Sequence, residues 1–580
     1  MGADVRPPTR PLAGVTGTAV TGAAGLASAA LLLLALALAG PRPAFAAPAT
    51  TAVAAGDTSR IDGEAWVDHD GATVSRPAYR EKSLYAHEFR EAVLEPFVHL
   101  FDVPDKILWI AKQMGADTDR EAVDVNAFDE VPNSTWFTNR NHVRALSTEE
   151  VRRGPSGEEP TKPWTITSRK KGGVNPGFRI KDADGRKWQV KLDPPGCPQL
   201  GSGADAVVSR LLYAAGYNIS HDVSLSFRRE DLKIDPELAR GKDGDIPFTG
   251  EILDSLLAHG ARNDDGRVYG QASLLLTGTP VGPINMRGRR RDDPNDRFTH
   301  MHRRELRGLY VLMSWVNSWD TKDHQSLEMF EPPKSDRGHV RHYLLDVGAS
   351  LGAAAAGPKP DPVGFEYTLD WKWIGRRMIS LGFAVEPWRG VKQESGIPSV
   401  GNFQSAVYRP NRFKMLQPHP AFRLRTERDG YWGAKLVASF SDAQIAAAVE
   451  GANYEDPRAR DYLVKALVER RDRVARYWFG RVAPVDFFHV EEGELRFHDL
   501  AVDRKLEPAR AYDVHVRAVE GQVAKEDLHL TGPALPLGEL GSAATRVELV
   551  IGVAGRDAKP ATVELSRRGD LWTVTAVRHA

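Results

Sequence analysis

Apolar positions along this chain follow distinct rhythms in different stretches. Between Trp164 and Leu192 they alternate. WTITS reads as one strand, and FRIKDADGRKWQVKL as two strands folded about Asp184-Gly185, a favourable hairpin turn. From Ala204 to Ala215 the spacing turns helical, with Val207, Val208, Leu211 and Leu212 on one side and Gly216 placed to end the helix. VYGQASLLL (268–276) predicts a further strand, residues 301–318 a helix and residues 326–346 a hairpin. Helices are also predicted over Ser441 to Glu450 and Pro457 to Phe479. In the second of these, Leu463, Leu467, Val468, Val474 and Trp478 fall at helical spacing. After Pro484 the alternation returns in ELRFHDL, AYDVHVRAV, TRVELVIGV, ATVELSRR and LWTVTAVRH, separated by Gly, Pro and Asp turns. That pattern predicts a small antiparallel β-domain, read as a sandwich. Nearer the start, Leu84, Phe89, Val93, Phe97, Leu100 and Phe101 give residues 80–114 a helical pattern that Pro96 and Pro104 interrupt. Residues 123–140 show no period and read as an ordered irregular segment.

Composition changes this picture in three ways. A chain of 580 residues is too long for one compact core, so several units are expected. Lysine plus arginine equals aspartate plus glutamate at 77 each, so no global field argues for nucleic acid or an anionic membrane as partner. The short basic run Arg287 to Arg291 sits beside Asp292 and Asp293 and reads as a solvated loop. The N-terminus carries Arg6 and Arg10, an apolar run through residues 31–39 and Ala44-Phe45-Ala46, the pattern of a cleaved secretory signal. Export to the periplasm, cell envelope or medium is therefore expected. No later segment approaches 18 consecutive apolar residues, so no transmembrane span is expected in the mature chain. The lone Cys197 cannot form an internal disulfide and has no local Cys/His cluster beside it. The expected organisation is a signal peptide (1–46), a linker (47–60), an N-terminal helical and irregular extension (61–160), a strand-rich lobe (161–278), a helical lobe (279–483) and a β-rich C-terminal domain (484–580).

Candidate chemistry concentrates between Glu305 and Gly348: a helix, the polar turn DTKDHQ, a hairpin, then Asp346-Val347-Gly348. A polar turn holding one acid, followed by a hairpin ending in a second, suits phosphoryl transfer. Asp320 would accept the proton of an attacking hydroxyl, and Asp346 would hold a hard cation such as Mg²⁺ bridging ATP phosphates. Gln325, five residues after Asp320, offers a carbonyl oxygen where an asparagine usually supplies a second metal ligand. Upstream, Lys191 alternates with Val190 and Leu192 and reads either as an outward strand residue or as a phosphate-binding lysine. Asp205 reads either as its acidic partner or as a carboxylate placed favourably at a helix N-terminus. The turn carrying Gly172, Gly173 and Gly177 allows close backbone approach to a phosphate, or is a plain hairpin turn; it matches neither G-x-G-x-x-G nor Walker A. His300, His302, His324 and His342 lack zinc-site spacing.

The order of these elements, with Lys191, Asp320, Gln325 and Asp346, resembles the atypical kinase superfamily that includes HipA-type toxin kinases, CotH-type spore-coat kinases and secretory-pathway kinases. More closely, DEVPNSTWFTNR (129–140), PGFRIKDADGRKWQVKLDPP (176–195), AAGYN (214–218), DDPND (292–296), RRELRGL (303–309) and RHYLLDVGASLG (341–352) resemble segments of a group of exported bacterial proteins without an assigned activity. The resemblance implies a bilobal α+β kinase-like fold, here followed by the small C-terminal antiparallel β-sandwich. It implies ATP with Mg²⁺ or Mn²⁺ as nucleotide and cofactor, Lys191, Asp205, Gly172 and Gly173 as nucleotide-binding residues, and Asp346 and Gln325 as metal ligands. Asp320 would be the catalytic base, acting on an unknown protein or envelope acceptor. HipA-type loops read D-x-x-x-x-N where this chain reads D-T-K-D-H-Q. That departure, and the scarcity of ATP outside the bacterial cytoplasm, leave open a pseudokinase that serves as a cell-envelope binding module.

Overall fold

In the computed structural model the described residues are 70–100, 107, 120–170, 172–241, 246–386, 388–389 and 394–579, all within one unit. The signal and linker expected over residues 1–60 lie outside them. The fold is mixed α/β with several sheets. Three strands open the first sheet: β1 (Trp164–Arg169), β2 (Gly177–Lys181) and β3 (Lys187–Leu192). They are followed by helix α1 (Leu200–Ala215), β4 (Asp222–Phe227), β5 (Leu232–Ile234), α2 (Gly250–Ala258) and β6 (Val268–Leu274). The sheet order is β4-β6-β3-β2-β1-β5, antiparallel except for the β1–β5 pair. Trp188, Val190 and Leu192 alternate into its core, as period-two patterning requires.

Helix α1 begins at Leu200, four residues before the apolar pattern announces it. Its N-terminal amides are satisfied from outside the helix. The Asp193 carboxylate accepts from the backbone N–H groups of Gln199 (3.1 Å), Gly201 (3.0 Å) and Ser202 (2.8 Å). Gly203 stands where a Cβ would lie 2.4 Å from the Tyr454 ring. A close approach therefore puts glycine inside a helix that glycine otherwise weakens.

Next come β7 (Thr279–Gly282), the long buried helix α3 (Arg304–Val316), β8 (Ser326–Glu331) and β9 (Arg337–Leu344). β7, β8 and β9 form one sheet, with Val74–Ser75 added at its edge. α3 packs into a helical core with α4 (Glu427–Ala438), α5 (Asp442–Glu450) and α6 (Pro457–Phe479). Residues between β9 and α4 are mostly irregular.

The tail holds a three-stranded sheet of β10 (Val485–Glu491), β11 (Glu494–Asp499) and the strand Ala534–Pro536, and a five-stranded sheet. The latter contains β12 (Tyr512–Glu520) and β13 (Asp527–Leu530). After β14 (Ala534–Pro536) it continues with β15 (Arg546–Val553), β16 (Ala561–Arg568) and β17 (Leu571–His579). Apolar residues of both sheets share one core. That core meets the rest of the chain through Asp129, a buried carboxylate. It pairs with Arg304 of α3, Arg428 of α4 (2.6 Å) and His579 of β17 (2.9 Å).

Near the start, helical turns run on from Leu84 to Leu100 through Pro96, which was expected to interrupt them. A π-turn over Arg90–Leu94 precedes the proline and shifts the hydrogen-bond register there, which accommodates a residue without an N–H.

Candidate functional site

β3 carries Lys191 between core-facing neighbours, and its flanking strands set Gly177 and Gln271 opposite it. A Cβ at Gly177 would sit 2.2 Å from the Val190 carbonyl, so glycine lets β2 close against β3 beside the lysine. Lys191 Nζ donates to Asp346 Oδ1 at 2.6 Å. Burial opposes its charge, yet Asp346, then Asp205 and Asp222, more than offset this and hold the ammonium above its ordinary pKa.

Asp346 follows β9 with φ of 53°, a left-handed conformation uncommon outside glycine and asparagine. The turn leaves its side chain half exposed beside Lys191 and aims the next amide backwards. Val347 N–H donates to Asp205 Oδ1 at 3.1 Å. Asp205 lies in the second turn of α1, past the helix N-terminus, and is fully buried. It makes no direct ion pair with Lys191; their attraction acts through space. Burial, then the Asp222 carboxylate, push the Asp205 carboxyl well above the ordinary range. Asp222, at the start of β4, is likewise raised, by burial first. It accepts a hydrogen bond from Ser220 Oγ at 2.8 Å.

Asp320 sits on the turn after α3. That helix ends at Asn317 in a left-handed cap, with the turn braced on both sides. Trp319 N–H donates to the Ala349 carbonyl (3.2 Å), and Leu416 N–H donates to the Trp319 carbonyl (3.0 Å). Lys322 Nζ lies 3.0 Å from one Asp320 oxygen, and Gln325 Nε2 donates to the other at 3.0 Å. Burial raises the Asp320 pKa, Lys322 opposes the rise, and the charges of Asp346 and Glu88 add to it. Leu345 N–H donates to the Gln325 carbonyl at 2.9 Å, so the backbone sets Gln325 and Asp346 side by side.

Residues 82–95 support this turn from behind. Lys82 pairs with Asp323 and reaches Asn285, Glu88 stands 3.5 Å from Lys322, and Arg287 binds Glu91 at 2.9 Å.

The glycine turn projects between β1 and β2, with Gly172 and Gly173 at φ of 79° and 78°. Asn175 Nδ2 donates to the Ala355 carbonyl (3.3 Å), so the turn spans to the segment beyond Asp346. Lys170 lies near enough to Lys191 to have its own pKa lowered, by burial first and then by that charge.

The structure thus brings Lys191, Asp205 and Asp346 together, with Asp320 and Gln325 beside them. Sequence reasoning missed Asp222 and Lys322. Asp222 opens a strand like any polar first residue. Lys322 carried a usable signal, a cation two residues after the candidate base. Gln325 Oε1 is buried without a hydrogen-bond partner within the protein, and with Asp346 it offers hard oxygen donors. Among the described residues no group of three or more His, Cys, Asp or Glu side chains is arranged around one point to hold a metal. A cation here would take most of its ligands from phosphate and water, which suits Mg²⁺ or Mn²⁺ arriving with a nucleotide. No helix among the described residues is long and apolar enough to cross a membrane.

No family model matches this chain. No curated protein matches it. Among solved structures it is similar to a Helicobacter pylori proinflammatory kinase, CtkA, at 11% identity and a TM-score of 0.29, covering 55% of this chain and 99% of that one. It is also similar to the Golgi casein kinase with Mn/ADP bound, at 12% identity and a TM-score of 0.27, covering 55% of this chain and 72% of that one. A second crystal structure of the Golgi casein kinase gives 11% identity and a TM-score of 0.28 over the same shares. Overlap this loose leaves the functional reading to the geometry of the cleft.

Proposed function

We propose that this chain is an exported kinase-like phosphotransferase that uses ATP with a divalent cation and transfers to an unidentified acceptor. The carrying observation is the 2.6 Å pair between strand residue Lys191 and Asp346 at the hairpin end, with Asp320 and Gln325 on the adjoining turn. Under this reading residues 161–278 and 279–483 are two lobes around the cleft, behind the extension at 61–160. Residues 484–580 are an appended β-sandwich. The separate apolar cores of the first sheet, the helices and the tail support that division.

The residues act mainly by position and charge. Lys191 is a compact cation that turns from Asp346 to the α and β phosphates when nucleotide enters. Buried Asp205 and Asp222 keep it protonated and fix its direction. Asp346 and Gln325 Oε1 would hold the cation, which supplies charge neutralisation on the phosphates. Asp320, raised by burial and oriented by Gln325 and Lys322, takes the proton of the acceptor hydroxyl as the new P–O bond forms. ADP leaves with the bridging oxygen. Calorimetry of ATP with and without Mn²⁺ tests this. Metal-dependent binding that disappears in Asp346→Asn is expected, and a folded wild type that binds no nucleotide overturns it.

A further inference from the structure

Beside the Asp320 turn lies a cavity of about 760 Å³, a size common for ligand sites, lined by residues from α3, α6 and the irregular stretch before α4. Asn317, three residues before Asp320, is part of its wall. Nine basic side chains line it, seven Arg and two Lys, and no Asp or Glu does among the described residues. The chain as a whole carries equal numbers of each sign, so this is a strong local segregation of charge.

Aromatic faces hold these cations together. Arg470 stacks 3.6 Å from the Tyr408 ring centroid, Arg425 lies 3.6 Å from Tyr310, and Arg376 lies 5.3 Å from Trp373. Lys414 and Lys359 stand 5.2 and 5.7 Å from Tyr367 and Phe365, and Lys414 also pairs with Asp370, which is not among the lining residues. Ring quadrupoles ease cation crowding without cancelling the outward field as carboxylates would. Arg470, 4% exposed, gives its hydrogen bonds to the carbonyls of Ser314, Trp315 and Gln404 and pairs with no acid. Burial brings its pKa down to about 10. Lys359 is brought down to about 8, by burial first and then by Arg470. His419, 4% exposed, lines the same space, and neither of its ring nitrogens has a hydrogen-bond partner within the protein; nor does Arg425 Nε. Buried polar groups left unpaired are costly, and both side chains border a space that an anion could enter.

We infer that this cavity binds a multiply charged phosphate group, and that the phosphoryl acceptor carries that group as its own recognition handle. The acceptor role rests on the phosphotransferase reading above; the anion site does not. Guanidinium forks match phosphate oxygens two at a time. An acceptor seated by its phosphate would meet Asp320 across the Asn317 turn with a hydroxyl.

The test is calorimetry of inorganic pyrophosphate into the full chain without metal, at fixed ionic strength. Arg409, Arg412 and Arg473 are exposed on the cavity wall, so Arg409→Ala/Arg412→Ala/Arg473→Ala should keep the wild-type melting temperature. We expect that triple variant to weaken pyrophosphate binding at least about tenfold and Arg517→Ala/Arg546→Ala/Arg556→Ala, an equal charge change at exposed sites on the tail, to leave it unchanged. Titration with glucose 6-phosphate against phosphatidic acid vesicles, both phosphomonoesters, tells a soluble phosphoester from a lipid headgroup. Wild type that binds no pyrophosphate, or a triple variant that binds it as wild type does, overturns the inference even if ATP–Mn²⁺ binding stands. Pyrophosphate binding without ATP–Mn²⁺ binding upholds the anion site and removes the cleft reading.

Discussion

The cleft at Lys191 and the cavity beside Asn317 both bury charge, and they do so by opposite means. In the cleft one ammonium faces Asp346, Asp205 and Asp222, a surplus of negative charge that lifts the buried carboxyls. In the cavity nine cations line the wall, ring faces pack against five of them, and Asp370 pairs with Lys414 from outside the lining. A surplus of acid invites a cation, and a surplus of guanidinium invites an anion. A phosphotransferase must hold both, a metal-laden nucleotide and something to receive its phosphoryl group.

The comparison breaks most sharply at Asp346. Asp346→Asn keeps a similar shape but removes the charge facing Lys191. The rate of ATP-dependent transfer should fall at least about a thousandfold, ~4 kcal/mol of barrier, measured by phosphate incorporation. In the cavity the largest single effect should be on folding. Arg470→Met strips donors from three buried carbonyls and should cost about 3 kcal/mol in urea unfolding. A value near zero would mean that the rings alone hold that corner.

Asp205→Asn sharpens the contrast, because stability and function should part. Its folded pKa lies above the unfolded value, so the proton it holds favours folding in acid, and that contribution is lost as pH rises past the ordinary carboxylate range. At pH 8 the variant should gain roughly 1 kcal/mol in melting experiments while nucleotide binding weakens, and in acid the gain should vanish. The smallest effect concerns Lys322, which pulls the Asp320 pKa down against burial. Lys322→Gln removes that pull, so the acid limb of kcat/KM against pH should move to higher pH. An unmoved limb would separate Asp320 from the rate.

Some of this was legible in the chain because it is local. The hairpin after Asp320 and the strands of the tail follow period-two patterns that a neighbouring core merely completes. The start of α1 was hidden because its cap, Asp193, comes from across a loop, and because Gly203 is there for Tyr454. The cleft was legible where its residues sit at element ends, as Asp320 and Asp346 do. Asp222 was not, since nothing in DVSLSF marks the first residue as facing a lysine on another strand. The cavity had no sequence signature. Its cations are scattered from Lys359 to Arg473, and only the fold gathers them.

Asp129 joins Arg304 of α3 to His579 near the far end of the chain, 450 positions away. Closing a loop over that distance carries an entropic cost that contacts elsewhere must offset. The first sheet, β1 to β6, has an apolar core of its own and does not need that contact. The ion network behind α3, the helix that presents Asp320, closes only when β17 arrives. Completion of that network is thereby tied to the docking of β17.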